Sequence, residues 1–253
     1  MTGYEVVTFD LGDTMESRGS NLGDAQFRIR QFVRWAADRD RVGGARTDDL
    51  ALAFHAVLRE QRIGSDLRHR EVRDIAERMA RAAGFEPTPL DVAELAELLQ
   101  DPGPDERLSW APGLPEVLSA LRAAGVRLGV ISNLRLTSGA NVRRVLRRAG
   151  LLEFFDPDGL TFSDELGVHK PHPEIFETTL RRLGAPAAAA VHVGDNWAAD
   201  VVGARAVGMT TVRFTGLHDD ERIEGPDADH LLAALSGLPA LLGIEKTRAE
   251  VTG

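Results

Sequence analysis

Cysteine is absent from this chain of 253 residues, and lysine occurs only at Lys170 and Lys246. The lack of cysteine excludes disulfides, thiolate metal ligands and cysteine nucleophiles, and it suits a protein of a reducing compartment. No segment has the roughly 18 consecutive apolar residues that span a bilayer, and the first residues lack the basic and apolar regions of a signal peptide. We therefore expect a cytoplasmic protein that does not bind membranes.

Positive charge is also scarce overall. The 30 Lys and Arg residues are outnumbered by 39 Asp and Glu residues, which gives a formal net charge of −9. Nucleic acids and anionic lipids select basic surfaces, so we expect neither as a partner. The 43% hydrophobic and 27% charged residues are typical of a globular protein, with room for one large domain or two smaller ones.

Short apolar strands alternate with helix-period segments from Pro112 onward. The predicted strands cover residues 126–131, 159–162, 190–193 and 210–214, after an earlier strand at 4–9. The helical segments between them end at Gly125, Gly150, Gly184 and Gly208, as expected for left-handed residues that terminate helices. This alternation predicts an α/β fold, with a Rossmann-like parallel sheet covered by helices on both faces.

A segment of about 90 residues, 17–109, interrupts this pattern after the first strand and has no convincing strand of its own. Apolar residues at helical spacing predict four amphipathic helices there, the last of which opens at Thr88-Pro89. We predict an α/β catalytic core at 1–16 and 110–245. An all-helical insertion occupies 17–109, and a tail follows at 246–253.

Polar residues follow the predicted strands where ligands collect in parallel sheets, at the carboxyl ends. They are Asp10, Ser132, Asn133, Lys170, Asp195 and Asp200. Singly, each is typical of a helix N-terminus or a solvated loop. Together, two aspartates from separate strands can hold one Mg²⁺, and a hydroxyl, an amide and an amine can bind phosphate oxygens. A carboxylate beside such cations can attack phosphorus.

The chain resembles the haloacid dehalogenase superfamily through four motifs in order, at residues 9–14, 130–133, 170–173 and 194–200, and through the helical cap that the insertion at 17–109 would form. The resemblance implies that Asp10 is the nucleophile and a Mg²⁺ ligand, and that Asp195 is a second carboxylate ligand. It further implies that Ser132 and Lys170 bind the phosphoryl group and that Lys170 neutralises Asp10. Asn133 would support the phosphate loop, and Thr14, Asn196 and Asp200 would support the site.

One position departs from the pattern of the family's phosphatases. These enzymes carry a general acid/base aspartate two residues after the nucleophile, where this chain has Gly12. The main-chain carbonyl of Gly12 can still bind Mg²⁺, but a group worth about 10²–10⁴-fold in rate is missing. Asp13 is the nearest carboxylate and one candidate substitute, although neighbouring residues on an extended turn point in different directions. His169 is a second candidate for the missing acid.

The gap at Gly12 leaves three functions open. We predict a Mg²⁺-dependent phosphatase that acts on a small phosphorylated metabolite through an aspartyl-phosphate intermediate. A 2-haloacid dehalogenase needs no such acid and no metal, but the retained Asp195 favours a metal. The third function is a phosphate-binding or regulatory protein of the same fold with impaired catalysis. A Schiff-base mechanism is disfavoured because the insertion contains no lysine.

Overall fold

The computed structural model of the protein describes residues 3–17, 21–38, 47–61, 66–101, 109–219 and 224–244. Its strands are β1 (Val6–Phe9), β2 (Glu16–Ser17), β3 (Ser109–Trp110), β4 (Arg127–Ser132), β5 (Leu160–Phe162), β6 (Ala190–Gly194), β7 (Thr210–Phe214) and β8 (His230–Leu232). Its α-helices are α1 (Asn21–Ala37), α2 (Thr47–Gln61), α3 (Val72–Ala82), α4 (Pro89–Gln100), α5 (Leu114–Ala123), α6 (Gly139–Arg148), α7 (Ser163–Leu166), α8 (Pro173–Leu183), α9 (Val202–Ala206) and α10 (Leu238–Leu241).

Six strands form one parallel sheet in the order β5-β4-β1-β6-β7-β8. The central strand β1 pairs on both sides, with Val6 opposite Arg127 on β4 and opposite Ala190 on β6. All four residues of β1 are buried. A continuous buried run of this kind is typical of a parallel strand that is covered on both faces.

Helices cover both faces of the sheet, so the predicted fold class is confirmed. Val7 and Phe9 of β1 belong to the apolar cluster that includes residues of α5 and α6. Val6 points to the other face and belongs to a cluster with residues of α8 and α9. The alternation along β1 follows from the two-residue period of a strand, which sends successive side chains to opposite faces.

The five predicted core strands are all present, and the four glycines that were predicted to end helices have positive φ angles of 65° to 89°. The sequence did not predict β2, β3 or β8, each only two or three residues long. Nor did it predict that the helix after β6 begins as a π-helical turn, Trp197–Val201. Strands this short carry too few residues for a period to be recognised.

The described helices between β2 and β3 have an apolar cluster of their own, which includes Phe32, Phe54, Ile75 and Leu99. Leu136, which follows β4 in the sheet domain, is buried in the same cluster. Strands β2 and β3 pair antiparallel at the base of the insertion, so the chain leaves and re-enters the sheet domain at adjacent points. The division into core and cap stays a prediction, and the tail at 246–253 lies outside the described residues.

The fourth helix of the insertion begins as its sequence predicts. The Thr88 hydroxyl accepts a hydrogen bond from the Asp91 N–H, and the Asp91 carboxylate accepts one from the Thr88 N–H. This reciprocal capping box satisfies two backbone donors at the start of α4. Among the described residues, no helix combines the length and the apolar character needed to cross a bilayer.

Candidate active site

Lys170 lies at the centre of a buried polar cluster at the carboxyl ends of the strands. Its Nζ lies 2.5 Å from Asp10 Oδ1, 2.7 Å from Asp200 Oδ1 and 2.7 Å from the Ile131 carbonyl oxygen. Three acceptors match the three protons of an ammonium group, so the side chain is fixed in place. Burial opposes its charge, but the two carboxylates outweigh burial and raise the pKa of Lys170, which is therefore charged at neutral pH.

Asp200 is the second carboxylate that contacts Lys170. Its Oδ1 lies 3.2 Å from His192 Nε2, and its Oδ2 accepts a hydrogen bond of 3.0 Å from the Asn196 N–H. Burial disfavours the charge of Asp200, yet Lys170 and His192 together lower its pKa, so the group remains ionised. A Cβ at Gly194 would lie 2.3 Å from Asp200 Cγ, and glycine there leaves room for this carboxylate.

Asn196 and Thr14 support the same end of the sheet. The Asn196 side chain accepts a hydrogen bond of 2.8 Å from the Ala199 N–H and so caps the π-helical turn that carries Asp200. The Thr14 hydroxyl lies 3.4 Å from Asp195 Oδ1, within reach to donate a long hydrogen bond. The structure thus brings both predicted supporting residues against the acidic groups.

Two residues of this network, Thr8 and His192, were missed by the sequence analysis. They lie opposite each other on β1 and β6, and Thr8 Oγ1 is 2.9 Å from His192 Nδ1. Burial lowers the pKa of His192, so the ring is neutral, donates from Nε2 to the ionised Asp200 and accepts at Nδ1 from Thr8. The available signal was a polar residue within each of two otherwise apolar buried strands.

Asp10, Asp195 and Asp200 bring three carboxylates together, with ligand atoms within 4.8 Å of one another. Burial raises the pKa of Asp10 to about 6 against the opposing effect of Lys170, and Asp200 adds to the rise. Burial and the charges of Asp10 and Asp200 raise the pKa of Asp195 to about 8. One lysine balances only part of this negative charge, so the arrangement favours a bound cation.

Asn133 joins the two loops that carry the predicted phosphate-binding residues. Its Oδ1 accepts a hydrogen bond of 2.7 Å from the Lys170 N–H, and its Nδ2 donates one of 3.0 Å to the Lys170 carbonyl. Ser132, one residue earlier, is buried at the end of β4. The hydrogen bonds of Asn133 therefore hold the end of β4, where Ser132 lies, close to the loop that carries Lys170.

The turn after β1 contains the position of the missing acid/base. Gly12 is exposed, and a Cβ built on it meets no atom within 4 Å. Asp13 has a positive φ of 55°, and its N–H donates to the Glu16 carbonyl at 2.7 Å. The charge of Asp13 contributes to the raised pKa of Asp195, so its carboxylate lies within electrostatic range of the site.

His169, the reserve candidate for the missing acid, packs its ring against that of His69 with centroids 5.1 Å apart. Burial, helped by the neighbouring His69 and Arg135, lowers the pKa of His169 to about 4. A group with so low a pKa holds no proton to donate at neutral pH, which argues against His169 as a general acid.

Replacing Lys170 by Met should destabilise the protein by about 3 kcal/mol, because it leaves buried carboxylates without their cation. The loss of unfolding free energy should grow as the pH rises from about 5 to 8. Without the lysine, Asp10 and Asp200 ionise less readily in the folded protein than in the unfolded chain. Urea denaturation at several pH values measures it. Adding Asp200→Asn should recover part of the loss, whereas a single variant within about 0.5 kcal/mol of the wild type would contradict this role of Lys170.

Comparisons with known proteins agree with the geometry. The sequence profile of the haloacid dehalogenase-like hydrolases matches residues 4–208. The chain is 33% identical over 216 residues to a glyceraldehyde 3-phosphate phosphatase of Methanopyrus kandleri, which covers 83% of each chain. It is similar to the structure of a HAD phosphatase from Thermococcus onnurineus, with 25% identity, a TM-score of 0.68 and coverage of 95% of this chain and 99% of that one. A 2-haloacid dehalogenase from Pseudomonas syringae pv. Tomato DC3000 gives 26% identity, a TM-score of 0.69 and coverage of 95% and 98%.

Proposed function

Because this chain belongs to the haloacid dehalogenase-like hydrolases, we propose that it is a Mg²⁺-dependent phosphatase that acts on a small phosphorylated sugar through an aspartyl-phosphate on Asp10. The observation that carries the proposal is the buried cluster in which Lys170 contacts Asp10 while Asp195 lies beside them. A nucleophilic carboxylate, a fixed cation and a second carboxylate that suits a metal are the groups that phosphoryl transfer requires.

The donor set fits Mg²⁺, a hard cation that binds oxygen ligands. The carboxylates of Asp10 and Asp195 and the carbonyl of Gly12 would hold it, whereas Asp200 is already engaged by Lys170, His192 and the Asn196 N–H. When bound, Mg²⁺ supplies positive charge that keeps both ligand carboxylates ionised and attracts a phosphoryl oxygen.

In the reaction we propose, Asp10 attacks phosphorus, a bond forms between its carboxylate oxygen and phosphorus, and the bond to the sugar oxygen breaks. Lys170 and Ser132 bind the phosphoryl oxygens. The hydrogen bonds of Asn133 to the Lys170 backbone keep the two residues at a fixed distance. Water then attacks phosphorus and releases phosphate and free Asp10. Gly12 offers no side chain for either proton transfer. The sugar oxygen then takes its proton from solvent water, the attacking water gives its proton to solvent, and alkyl phosphates should react slowly; Asp13 is the candidate substitute.

Mg²⁺ should bind more tightly as the pH rises from about 6 to 8, by up to about tenfold per pH unit, because Asp195 must lose its proton to bind the metal. Titration calorimetry in two buffers with different ionisation enthalpies measures both the affinity and the proton release. Asp195→Asn is the control and should lose most of the binding. An affinity that is independent of pH, with no proton release, would count against Asp195 as a ligand.

We propose that the helical insertion at 17–109 acts as a cap that closes over the strand ends, excludes water and selects the substrate. The buried contact of Leu136 with the insertion's apolar cluster supports this, because Leu136 lies four residues after Ser132. A small phosphorylated sugar as substrate is supported by the relative named for glyceraldehyde 3-phosphate.

The second candidate function is hydrolysis of 2-haloacids. Gly12 favours it, because a halide leaves without a proton, and the similar dehalogenase structure is consistent with it. Asp195 argues against it, since a metal site has no part in that reaction. The test is a screen of small sugar phosphates, including glyceraldehyde 3-phosphate, and of 2-haloacids, each with Mg²⁺ and with a chelator. We expect phosphate release that needs Mg²⁺. Halide release that is indifferent to the chelator would favour the dehalogenase, and no turnover would favour a binding protein.

A further inference from the structure

Residues 67–69, which precede α3 in the insertion, are hydrogen-bonded to the loop that carries Lys170. The His69 N–H donates to the Gly167 carbonyl at 2.9 Å, and the His169 N–H donates to the Leu67 carbonyl at 2.7 Å. Arg68 and Val168 form the antiparallel bridge between these two bonds. Lys170 is the next residue along the chain, so the insertion fixes the backbone just before the lysine that contacts Asp10.

The side chain of His69 reaches the second phosphate-binding loop. Its Nδ1 lies 3.3 Å from Ser163 Oγ. The same hydroxyl accepts a hydrogen bond of 2.8 Å from the Leu134 N–H, and it lies 3.2 Å from the Leu134 carbonyl, to which it can donate. The imidazole of His69 donates or accepts in this pair according to its tautomer. Leu134 comes two residues after Ser132, so this bridge connects the insertion to that loop.

The Ser132–Leu134 loop and the Lys170 loop are therefore connected at two places. On the side of the site, the Asn133 side chain brackets the backbone of Lys170. On the side of the insertion, His69 contacts Ser163 through Nδ1 and packs its ring on His169. Leu136 and the Asn141 side chain, which donates to the Gln100 carbonyl at 3.0 Å, add further contacts between the insertion and the segment after β4.

We propose that His69 is a positioning residue, through which docking of the insertion holds the Ser132–Leu134 loop and the Lys170 loop in the arrangement that binds a phosphoryl group. The part of this inference that concerns turnover rests on the proposed phosphatase function. The part that concerns order in the two loops does not. Small displacements of positioning groups have large effects on rate, which is why one hydrogen bond outside the site can matter.

Two variants of His69 separate its ring from its hydrogen bond. His69→Phe keeps a ring against His169 but removes Nδ1, and kcat with an activated aryl phosphate should fall about tenfold while KM changes less. His69→Asn places an amide near the position of Nδ1 and should retain most of the activity.

His55→Phe is the control, because it makes the same change at an exposed position of α2, and it should leave kcat unchanged. Ser163→Ala removes this hydrogen bond together with the two that Ser163 makes to Leu134, and should lower kcat by at least as much.

Amide hydrogen exchange gives a readout that does not depend on turnover. In His69→Phe, the amides of Leu134 and His169 should exchange about tenfold faster than in the wild type, while those of β1 stay unchanged. Unchanged exchange, or faster exchange with kcat unaltered in an active enzyme, would overturn the proposal. If the wild type has no phosphatase activity, the proposed function fails, and the exchange rates still decide whether His69 orders the two loops.

Discussion

Asp10→Asn should lower the turnover of an activated aryl phosphate by about 10⁴-fold or more, because an amide lacks the nucleophilic oxygen that would bond to phosphorus. The protein should stay folded. An amide oxygen can still accept a hydrogen bond from Lys170, and the change removes one charge from a cluster in which three carboxylates share one lysine. Steady-state kinetics with excess Mg²⁺ and a thermal unfolding curve test the two statements together.

Asp158→Asn is the matched control for this variant. It makes the same change at an exposed aspartate of the sheet domain, and both the rate and the unfolding temperature should remain those of the wild type. A nearly normal rate in Asp10→Asn would remove Asp10 from the mechanism. A low rate that is accompanied by unfolding would instead make Asp10 a structural residue.

Gly12→Asp should raise the rate on alkyl phosphates by about 10²–10⁴-fold, because it supplies the acid/base that the site lacks. The structure has room for the new side chain, since a Cβ at Gly12 meets no atom within 4 Å. In the phosphorylation step, followed in the first turnover, the gain should be smaller on an activated aryl phosphate, whose leaving group needs little protonation. The ratio of the two gains is measured with one alkyl and one aryl substrate under the same conditions.

Gly12→Asn controls for shape, because its amide has nearly the size of the carboxyl group and does not exchange a proton near neutral pH. It should show no gain. If Gly12→Asp also leaves the rate unchanged, another group already transfers the proton, and Asp13→Asn is then the next variant to measure. A gain in both variants would mean that the side chain acts through the conformation of the turn.

The core strands and the motif residues were predictable because they depend on local pattern. Buried parallel strands read as apolar runs, and the residue after each run lies at the edge of the sheet where ligands bind. Asp10 and Asp195 follow directly from this rule. Lys170 was placed at the same edge because it lies in the segment that follows the third of the later strands, and the resemblance to a family added its role as the cation beside Asp10.

Other parts of the site depend on contacts between distant segments. The pairing of Thr8 with His192 requires the register of two strands that are more than 180 residues apart in the chain. The bridge from Arg68 to Val168 requires the docked position of the insertion. The sequence marks Thr8 and His192 as polar residues in apolar strands, but neither a strand period nor a helix period specifies which distant segment a residue meets.

The most direct measurement is the first turnover of the wild type with an activated aryl phosphate and Mg²⁺, followed by rapid mixing and intact-protein mass spectrometry. Aspartyl-phosphate formation needs no acid when the leaving group is activated, whereas its hydrolysis does need a base, and Gly12 provides none. We expect a burst of about one aryl alcohol per site, with one phosphoryl group on Asp10, before slow turnover. A linear time course with no phosphorylated protein would contradict it.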